Sequence, residues 1–323
     1  MCPGSHPSGA VESIQAEQLR KALAGEPPGV LAGRPRKTVA VVSGKGGVGK
    51  THFALNLALT IGDRLRIPSA LVDADFGLAN ADVLIGLDAR LTLANVLRGE
   101  LLLKEILVPV SDRVWLVPGG SGIADLAEMD AGRVRKLLPE LSCLDDLAEV
   151  LVIDAGAGIQ SAVREISIAS DSIVLMTTPE PTAMKDAYGM LKSLVQSYGT
   201  GRLAEKDLFL FINMAFSEIE AREAAFRMQT VSRKFLGLEL KELGYLPHDI
   251  RVSRAVKAKC PLVRLYPHSE LTERIERAAR RVLASPDAAM PRAGNDATPG
   301  KAGAWRRFLQ VFLAGRERGE KEG

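Results

Sequence analysis

The chain has 323 residues, of which 46% are hydrophobic and 25% are charged. These proportions are typical of a globular protein with a sizeable core, and the length allows one large domain or two ordinary ones. The formal net charge is only +3, from 42 Lys and Arg against 39 Asp and Glu. No chain-wide basic field therefore argues for nucleic acid as the main partner.

Cysteine spacing and hydropathy exclude further classes of protein. Cys2, Cys143 and Cys260 lie far apart, which gives no Cys-x-x-Cys pair, no zinc-ligand motif and no disulfide framework. No apolar run approaches the ~18 residues that a membrane-spanning helix needs, and the first residues lack the apolar segment of a signal peptide. We therefore expect a cytoplasmic protein that is neither secreted nor transmembrane.

Two segments of low periodicity flank a central domain. Residues 1–37 contain five prolines around one helix-like stretch, Glu12–Ala24, and are predicted to be a flexible leader with a short helix. Residues 284–303 contain three prolines and no periodic pattern, and they are predicted to be a disordered linker.

Between residues 38 and 283, short apolar runs alternate with helical patterns. The apolar runs predict seven strands: Val39–Ser43, Ala70–Asp73, Arg113–Val117, Val150–Asp154, Ser172–Thr177, Leu208–Ile212 and Glu242–Leu246. Helical patterns include Lys50–Ile61, Thr182–Ser197 and Leu271–Val282. The alternation predicts one α/β domain with a doubly wound, mostly parallel sheet that is covered by helices on both faces.

Directly after the first predicted strand, the sequence Gly-Lys-Gly-Gly-Val-Gly-Lys-Thr satisfies the G-x-x-x-x-G-K-[ST] pattern. In such a P-loop, backbone N–H groups converge on phosphate oxygens, the last lysine adds a positive charge, and the threonine hydroxyl binds Mg²⁺. The alternative is an ordinary glycine-rich turn, which the flanking strand and helix disfavour. The residues predicted to bind nucleotide are Gly44, Gly46, Gly47, Val48, Gly49, Lys50 and Thr51.

Acidic residues follow two other predicted strands. Asp73 and Asp75 come at the end of one strand, where ligands bind in open α/β sheets. We assign Asp73 to the water shell of Mg²⁺ and Asp75 to the positioning of the water that attacks the γ-phosphate. For Asp75, capping of a turn is the alternative. Asp154 ends the strand Val150–Asp154 and is predicted to hold Mg²⁺ through water, while a backbone amide at Gly156 meets the γ-phosphate.

Near the other end of the chain, apolar character returns in a short segment. Trp305, Phe308, Leu309 and Phe312 fall on one helical face. This spacing predicts an amphipathic helix over residues 304–316 whose segment Trp305–Leu313 binds an anionic membrane surface. Packing of this helix against its own domain is the alternative.

The second lysine of the P-loop, Lys45, makes the motif similar to the deviant Walker A signature of the MinD/ParA class of ATPases. The resemblance implies ATP and Mg²⁺ as cofactors and slow hydrolysis that dimerisation or partners stimulate. It also implies that Lys45 reaches the phosphates of a second chain in an ATP-dependent homodimer. By the same resemblance, Asn213 reads the adenine edge and the loop at Pro247 lies against the base; capping of a turn is the alternative for Asn213.

Within that class, the chain resembles the FlhG (FleN) group, MinD-like ATPases that regulate flagellar number and placement. The resemblance covers about residues 38–283 and rests on several short segments. These are Asp73–Asp82, Asp154–Ile159, Thr177–Thr182, Asp186–Tyr188, Leu243–Pro247 and Pro261–Pro267. It implies a protein that is cytoplasmic and peripheral on the inner face of the cell membrane when ATP is bound, with flagellar switch proteins or a transcription regulator as further partners.

The leader carries one further similarity to this group. Gln15–Arg20 resembles the segment by which FlhG stimulates the signal-recognition-type GTPase FlhF, although Ile14 stands where that group has Asp. The resemblance implies that Gln15 enters the GTPase site and helps to order its water. A short amphipathic helix without a partner is the alternative.

Two other functions remain open on the sequence alone. One is a MinD-like ATPase that determines the cell-division site, and the other is a ParA-like ATPase that positions DNA or cargo. Four arginines near the end of the domain would suit a DNA-binding patch, but glutamates interleave with them, which favours a solvated helix face and makes nucleic acid an unlikely partner. These residues are Arg274, Arg277, Arg280 and Arg281 with Glu270, Glu273 and Glu276.

Overall fold

The computed structural model describes residues 37–75, 79–120, 144 and 147–284. The strands are β1 Lys37–Ser43, β2 Ser69–Ala74, β3 Val108–Ser111, β4 Val114–Val117, β5 Val150–Ala157, β6 Ser172–Thr177, β7 Asp207–Ala215 and β8 Lys241–Pro247. The helices are α1 Lys50–Leu59, α2 Ala81–Leu84, α3 Leu93–Leu97, α4 Leu103–Ile106, α5 Ser161–Ala169, α6 Pro181–Tyr198, α7 Thr200–Ala204, α8 Glu218–Leu236, α9 Ile250–Lys257, α10 Leu262–Leu265 and α11 Glu270–Ala284. A π-helical turn, Thr60–Arg64, extends α1.

The strands form one sheet in the order β3-β4-β2-β5-β1-β6-β7-β8. Only the edge pair β3 and β4 is antiparallel, and all other neighbours are parallel. The loops that follow β1, β2 and β5 therefore meet at one edge of the sheet, where the strand order reverses. Ligands of doubly wound sheets bind at such a point.

Both faces of the sheet are covered by helices. Alternate residues of β1 point to opposite faces, so that Val39 and Val41 belong to one hydrophobic cluster and Ala40 and Val42 to another. Helices α1 and α11 contribute to the first cluster, and helices α5, α6 and α8 contribute to the second. The predicted fold class, a doubly wound, mostly parallel α/β sheet, is confirmed.

The helix ends follow from local sequence signals. Helix α6 begins with Pro181 at its first turn, where the missing N–H costs no hydrogen bond. Helix α8 begins after Ser217, whose side chain accepts a hydrogen bond from the backbone N–H of Glu220, and it ends at Gly237 in the left-handed conformation. The loop between β7 and α8 therefore follows the carboxyl end of β7, on the same side of the sheet as the loops after β1, β2 and β5.

All seven predicted strands are present, with ends that agree to within three residues. Strand β3 was not predicted because it is short and contains Pro109, which lacks a backbone donor and is tolerated in edge strands. Cys260 is buried and disulfide-bonded, so the expectation of a chain without disulfides is wrong at this residue.

The predicted leader helix, the linker and the amphipathic tail lie outside the described residues. Among the residues that the structure describes, no helix combines the length and the apolarity required to cross a bilayer.

Candidate functional site

The loop Gly44–Gly49 connects β1 to the first turn of α1 and requires glycine at two positions for steric reasons. Gly49 precedes α1 with φ of +87°, and a Cβ there would collide with the side-chain nitrogen of Asn213. A Cβ at Gly44 would collide with the backbone of Asp186 in α6. The loop is therefore packed against its neighbours, and it leads directly into the positive N-terminus of α1.

Lys50, the first residue of α1, lies between two carboxylates. Its Nζ is 2.9 Å from Oδ1 of Asp154 and 3.8 Å from Oδ2 of Asp75. The side chains of Lys50 and Asp154 are buried, so the ion pair is only weakly screened by solvent. The structure thus joins the P-loop lysine to Asp154 of β5, a pairing that the sequence analysis did not predict.

Asp73 and Asp154 are paired residues of the neighbouring parallel strands β2 and β5, which brings their carboxyl groups close together. Burial, with the nearby Asp154 as a second cause, raises the pKa of Asp73 to about 7. Burial also raises the pKa of Asp154, against the opposing effect of Lys50. Both acids are therefore protonated more easily than exposed ones, and a bound cation would stabilise their charged forms.

One carboxylate oxygen of Asp154 can still accept a hydrogen bond or bind a metal ion. Oδ1 of Asp154 accepts a hydrogen bond from Lys50 at 2.9 Å, and Thr51 follows Lys50 in the first turn of α1. Its Oδ2 is fully buried and has no hydrogen-bond partner among the described residues. A hydroxyl and a buried carboxylate oxygen form the type of donor set that Mg²⁺ uses beside phosphates and water, so these residues fit the predicted metal.

Both carboxylate oxygens of Asp73 accept backbone hydrogen bonds from the loop that follows β2. The N–H of Asp75 donates to Oδ1 at 3.2 Å, and the N–H groups of Asn80 and Ala81 donate to Oδ2 at 3.0 Å. Asp73 therefore fixes the start of the loop that carries Asp75. Its assignment to the water shell of Mg²⁺ stays a prediction.

The loop after β5 approaches Asp75 from the other side. The Cβ position of Gly156 lies 3.6 Å from Oδ1 of Asp75, and the N–H of Gly158 donates to the backbone oxygen of Ser43 at 3.0 Å. The predicted water-positioning acid, the glycine predicted to meet the γ-phosphate and the start of the P-loop are thus close together.

Lys45 points away from this group toward the first turn of α6. Its Nζ lies 3.2 Å and 3.3 Å from the two carboxylate oxygens of Glu180 and 3.2 Å from the hydroxyl of Thr182. The lysine and the glutamate are both exposed. The pKa of Glu180 is lowered, first by the hydrogen bond from Thr182 and then by the contact with Lys45.

On the side of the predicted base, the end of β7 is joined to the P-loop, and the end of β8 is joined to the end of β7. The side chain of Asn213 donates to the backbone oxygen of Val48 at 2.8 Å. Ala215 is the register partner of Pro247 in the β7–β8 pair, and the N–H of His248 donates to the oxygen of Ala215 at 2.8 Å. The structure therefore brings Asn213 and the Pro247 loop to the same end of the site.

A cavity of about 520 Å³ extends from the P-loop to these strand ends. It is lined by Lys45–Val48, by Thr178–Pro181 and by four residues that the sequence analysis did not assign. These four are Met214, Phe216, Glu220 and His248. Met214 and His248 directly follow the predicted residues Asn213 and Pro247, but the sequence does not show which side chains line a cavity.

A doubly wound parallel sheet, a glycine-rich loop at the N-terminus of α1, and a buried lysine paired with the acid of a neighbouring strand define a P-loop nucleotide-binding protein. The ParA family, described as NUBPL iron-transfer P-loop NTPase, matches residues 34–283. The chain belongs to the ParA/MinD family of P-loop NTPases.

Two relatives and one solved structure are similar over most of their length. The chain is 34% identical over 258 residues to the antiactivator FleN of Pseudomonas aeruginosa, which covers 80% of this chain and 90% of FleN. It is 32% identical over 245 residues to the flagellum site-determining protein YlxH of Helicobacter pylori, covering 75% and 80% of the two chains. The septum site-determining protein MinD of Pyrococcus horikoshii, solved with Mg-ADP, matches with a TM-score of 0.62 and 22% identity over 76% of this chain and 95% of that one. The predicted resemblance to FlhG-like proteins of the MinD/ParA class is confirmed.

Proposed function

We propose that the protein is an ATP-hydrolysing switch that dimerises with ATP, associates peripherally with a membrane, and regulates flagellar number or placement. The observation that carries the ATPase is the buried Lys50–Asp154 pair at the end of the P-loop. Support for the flagellar role comes from two relatives, one named an antiactivator and the other a flagellum site-determining protein, which match most of the domain.

The ion pairs of Lys50 suggest how the site takes up its ligands. Lys50 now neutralises Asp154, and the β- and γ-phosphates would attract this lysine toward the P-loop. Thr51 and Asp154 would then hold Mg²⁺, which neutralises charge on the phosphate oxygens. Because Lys50 would exchange a carboxylate for phosphates, it would stay paired throughout, and no buried charge would be left alone.

Hydrolysis needs an oriented water more than a strong base. Asp75 is partly exposed and lies beside Gly156, which supports the proposal that it accepts a hydrogen bond from a water in line with the γ-phosphate. Attack of that water on phosphorus breaks the bond between the γ-phosphorus and the bridging oxygen, and ADP and phosphate leave. The proton of the water passes to the released phosphate.

Lys45 is the residue proposed to make hydrolysis depend on a second chain. In the single chain it faces Glu180 and Thr182, so its ammonium group is directed away from Lys50 and the other phosphate-binding residues. In a dimer closed over the cavity, the same exposed lysine would contribute positive charge to the partner's phosphates. Dimerisation would thereby complete the site.

The described part of α11 does not favour the alternative of a DNA-bound scaffold. Arg274 pairs with Glu270 and Arg280 pairs with Glu276, each within one helical turn. Arg274 also lies over the ring of Tyr245 at 4.0 Å from its centroid. Arginines that are engaged in this way present little unpaired charge to a phosphate backbone.

The ATPase is tested by measuring phosphate release from the purified full chain with Mg-ATP. Wild-type protein should turn over slowly, and Lys50→Ala should lose both binding and turnover. Lys104→Ala is the matched control, because this lysine is exposed on α4 and away from the site. If Lys50→Ala and Lys104→Ala hydrolyse ATP equally, the P-loop is not the catalytic site.

The flagellar role is tested by capture of purified partners on the immobilised full chain, with and without ATP. An FlhF-type GTPase or a flagellar switch protein should be retained in the presence of ATP and lost with Lys50→Ala. Retention of a septum-site partner or of DNA, with none of the flagellar proteins bound, would replace the flagellar proposal with one of its alternatives.

A further inference from the structure

Helix α9 has an outer face that the proposed nucleotide site does not use. Its inner face is formed by Ala255, which is buried, and by Val252, which packs against the hydrophobic cluster that α1 and α11 share. Ile250, Arg254 and Lys257 follow one another at i, i+4 and i+7, so they lie together on the opposite face of the helix. Ile250 is exposed over 61% of its surface, and both cations are exposed as well.

The cations of α9 are not neutralised by their neighbours. In the part of the chain that the structure describes, the side chains of Arg254, Lys257 and Lys259 form no hydrogen bond or ion pair. Arg251, which lies toward the inner face, pairs instead with Asp249 at 2.6 Å. Arginines of α11 are likewise paired with glutamates of their own helix. The outer face of α9 therefore carries uncompensated positive charge, which favours an anionic partner.

The end of α9 adds a third cation at a position where the backbone favours glycine. The N–H of Lys259 donates to the oxygen of Val256 at 3.0 Å, and the N–H of Cys260 donates to the oxygen of Ala255 at 3.1 Å. These two bonds form the Schellman motif, in which the residue in the left-handed conformation is usually glycine. Lys259 occupies that position with φ of +47°, so an exposed lysine is retained there although the backbone is strained.

Helix α9 lies on the same face of the sheet as the helix that leads to the predicted tail. Ala255 of α9, Leu262 of α10 and Leu271 of α11 belong to one hydrophobic cluster. Helix α11 ends at Ala284, where the predicted linker begins. Because a flexible linker of about 20 residues reaches roughly 25 Å, a chain that is held at a membrane by its tail can turn α9 toward the same surface.

The residues of this face suit anionic lipid better than nucleic acid. Acidic headgroups attract Lys and Arg, whose long stems leave the charge in water. Ile250 is stabilised when it enters the boundary between headgroups and acyl chains, and Val256, which is 42% exposed on the flank of the helix, has the same preference. The phosphate backbone of a nucleic acid would bind the cations but would offer no apolar surface to Ile250.

We propose that Ile250, Arg254, Lys257 and Lys259 form a second membrane contact, which binds the headgroups of acidic phospholipids once the tail has brought the chain to the surface. This rests on the proposed membrane association. Each cation near an anionic surface raises the affinity only about fivefold, so the contact is too weak to hold the chain without the tail. It strengthens binding by the tail and orients the ATPase domain with α9 toward the bilayer.

The test measures binding of the full chain with Mg-ATP to vesicles of phosphatidylglycerol and phosphatidylcholine, and to vesicles of phosphatidylcholine alone. Combined Arg254→Gln and Lys257→Gln should lower the affinity for the acidic vesicles about 25-fold, because two cations are lost. Binding to phosphatidylcholine alone and phosphate release from ATP should not change. The matched control is Arg233→Gln with Lys234→Gln, which removes the same charge from exposed residues of α8 on the other face of the sheet. It should bind both kinds of vesicle like the wild type.

Tryptophan fluorescence detects the contact directly, whatever the affinity. Trp305→Phe removes the fluorophore of the tail while it retains an aromatic ring there. In this background, Ile250→Trp should be quenched by vesicles that contain brominated acidic lipid. Phe226→Trp is the control and should not be quenched, because Phe226 is similarly exposed but lies on α8.

Three results would contradict this contact, and they differ in what they leave standing. Equal affinities of the α9 and α8 double variants for acidic vesicles, or no quenching at position 250, would overturn the α9 contact alone. Failure of the wild-type chain to bind either kind of vesicle would contradict the proposed membrane association itself. If the α9 double variant binds vesicles normally and loses retention on duplex DNA, the face binds nucleic acid and not lipid.

Discussion

The ammonium group of Lys45 lies 3.2 Å and 3.3 Å from the two carboxylate oxygens of Glu180 in the same chain. The pair joins the P-loop to the N-terminus of α6, and both residues line the cavity. Exposed ion pairs of this kind contribute little to stability, so the lysine can exchange its partner readily. A contact within one chain is therefore compatible with a role between two chains.

Lys45→Ala should leave a protein that binds ATP as a monomer. The side chain is directed away from Lys50 and Thr51, so its loss removes none of the contacts that we assign to the chain's own nucleotide. Without this charge, closure of a dimer over the phosphates loses its attraction. Analytical ultracentrifugation with ATP measures the dimer, and calorimetry measures binding.

Thermal unfolding provides the control for this variant. Because Lys45 and Glu180 are exposed, Lys45→Ala should unfold at nearly the wild-type temperature. A normal ATP-dependent dimer in the Lys45→Ala protein would exclude this lysine from the dimer mechanism.

Lys50→Ala and Asp75→Ala should separate binding from turnover. Lys50 is placed to hold phosphate, so its loss should abolish nucleotide binding. Asp75 lies at the partly exposed end of the site, so Asp75→Ala should bind ATP with about wild-type affinity and lose hydrolysis. Binding by calorimetry and phosphate release by a coupled assay measure the two steps. Equal loss of binding in both variants would contradict the division of roles.

Gly44→Ala should disturb the P-loop through a clash that cannot relax. The new Cβ would meet the backbone of Asp186, which is held within α6, so the loop and the helix must move apart. Overpacking of this kind costs about 1–3 kcal/mol of unfolding free energy, and we expect ATP affinity to fall as well. Chemical denaturation and calorimetry test both effects.

Gly189→Ala is the control on the same helix. A Cβ at this position has no atom within 4 Å, and the residue lies within α6 without a positive φ. The substitution should stabilise the protein by about 0.4–1 kcal/mol, because alanine restricts the unfolded chain. Equal stability changes in the two variants would show that packing of α6 does not constrain Gly44.

Local patterns predicted the fold and the centre of the site. The P-loop motif placed Lys50 at a helix start, and apolar runs located β2 and β5 with their acids Asp73 and Asp154. The distances between these elements were not predictable, because they depend on the strand order. The pairing of Lys45 with Glu180 and the stack of Phe216 on His248 arise between loops far apart in the chain, and no local pattern reports them.

Gln15→Ala should leave the ATPase of the chain intact and abolish its stimulation of an FlhF-type GTPase. Gln15 lies outside the described residues, and its role follows from the resemblance of Gln15–Arg20 to the activating segment of FlhG. A glutamine that orders water in a GTPase site has no function in the ATP site of its own chain. GTP hydrolysis by the partner, with Gln18→Ala as the control, measures the effect. Unchanged stimulation would leave the segment as a short helix without this role.

Membrane binding is the step that we expect dimerisation to control. One short helix with four large apolar residues binds a bilayer weakly and reversibly. Two such helices on a dimer act together, because linkers of about 20 residues with a flexible reach of roughly 25 Å raise the effective concentration of the second helix at the surface. ATP should therefore recruit the protein to anionic liposomes, and ADP should not.

Flotation of the full chain with liposomes decides whether the tail is the anchor. Phe308→Glu, or deletion of residues 304–323, should eliminate recruitment, because a charge on the apolar face or loss of the helix removes the buried surface. The ATP-dependent dimer should survive both changes, since the tail lies outside the ATPase domain, and sedimentation tests this. Arg306→Gln is a milder control that should weaken binding only in part, because one cation near an anionic surface contributes about 1 kcal/mol. If the truncated chain floats with ATP, another surface binds the membrane, and equal flotation with ADP would show that attachment does not follow dimerisation.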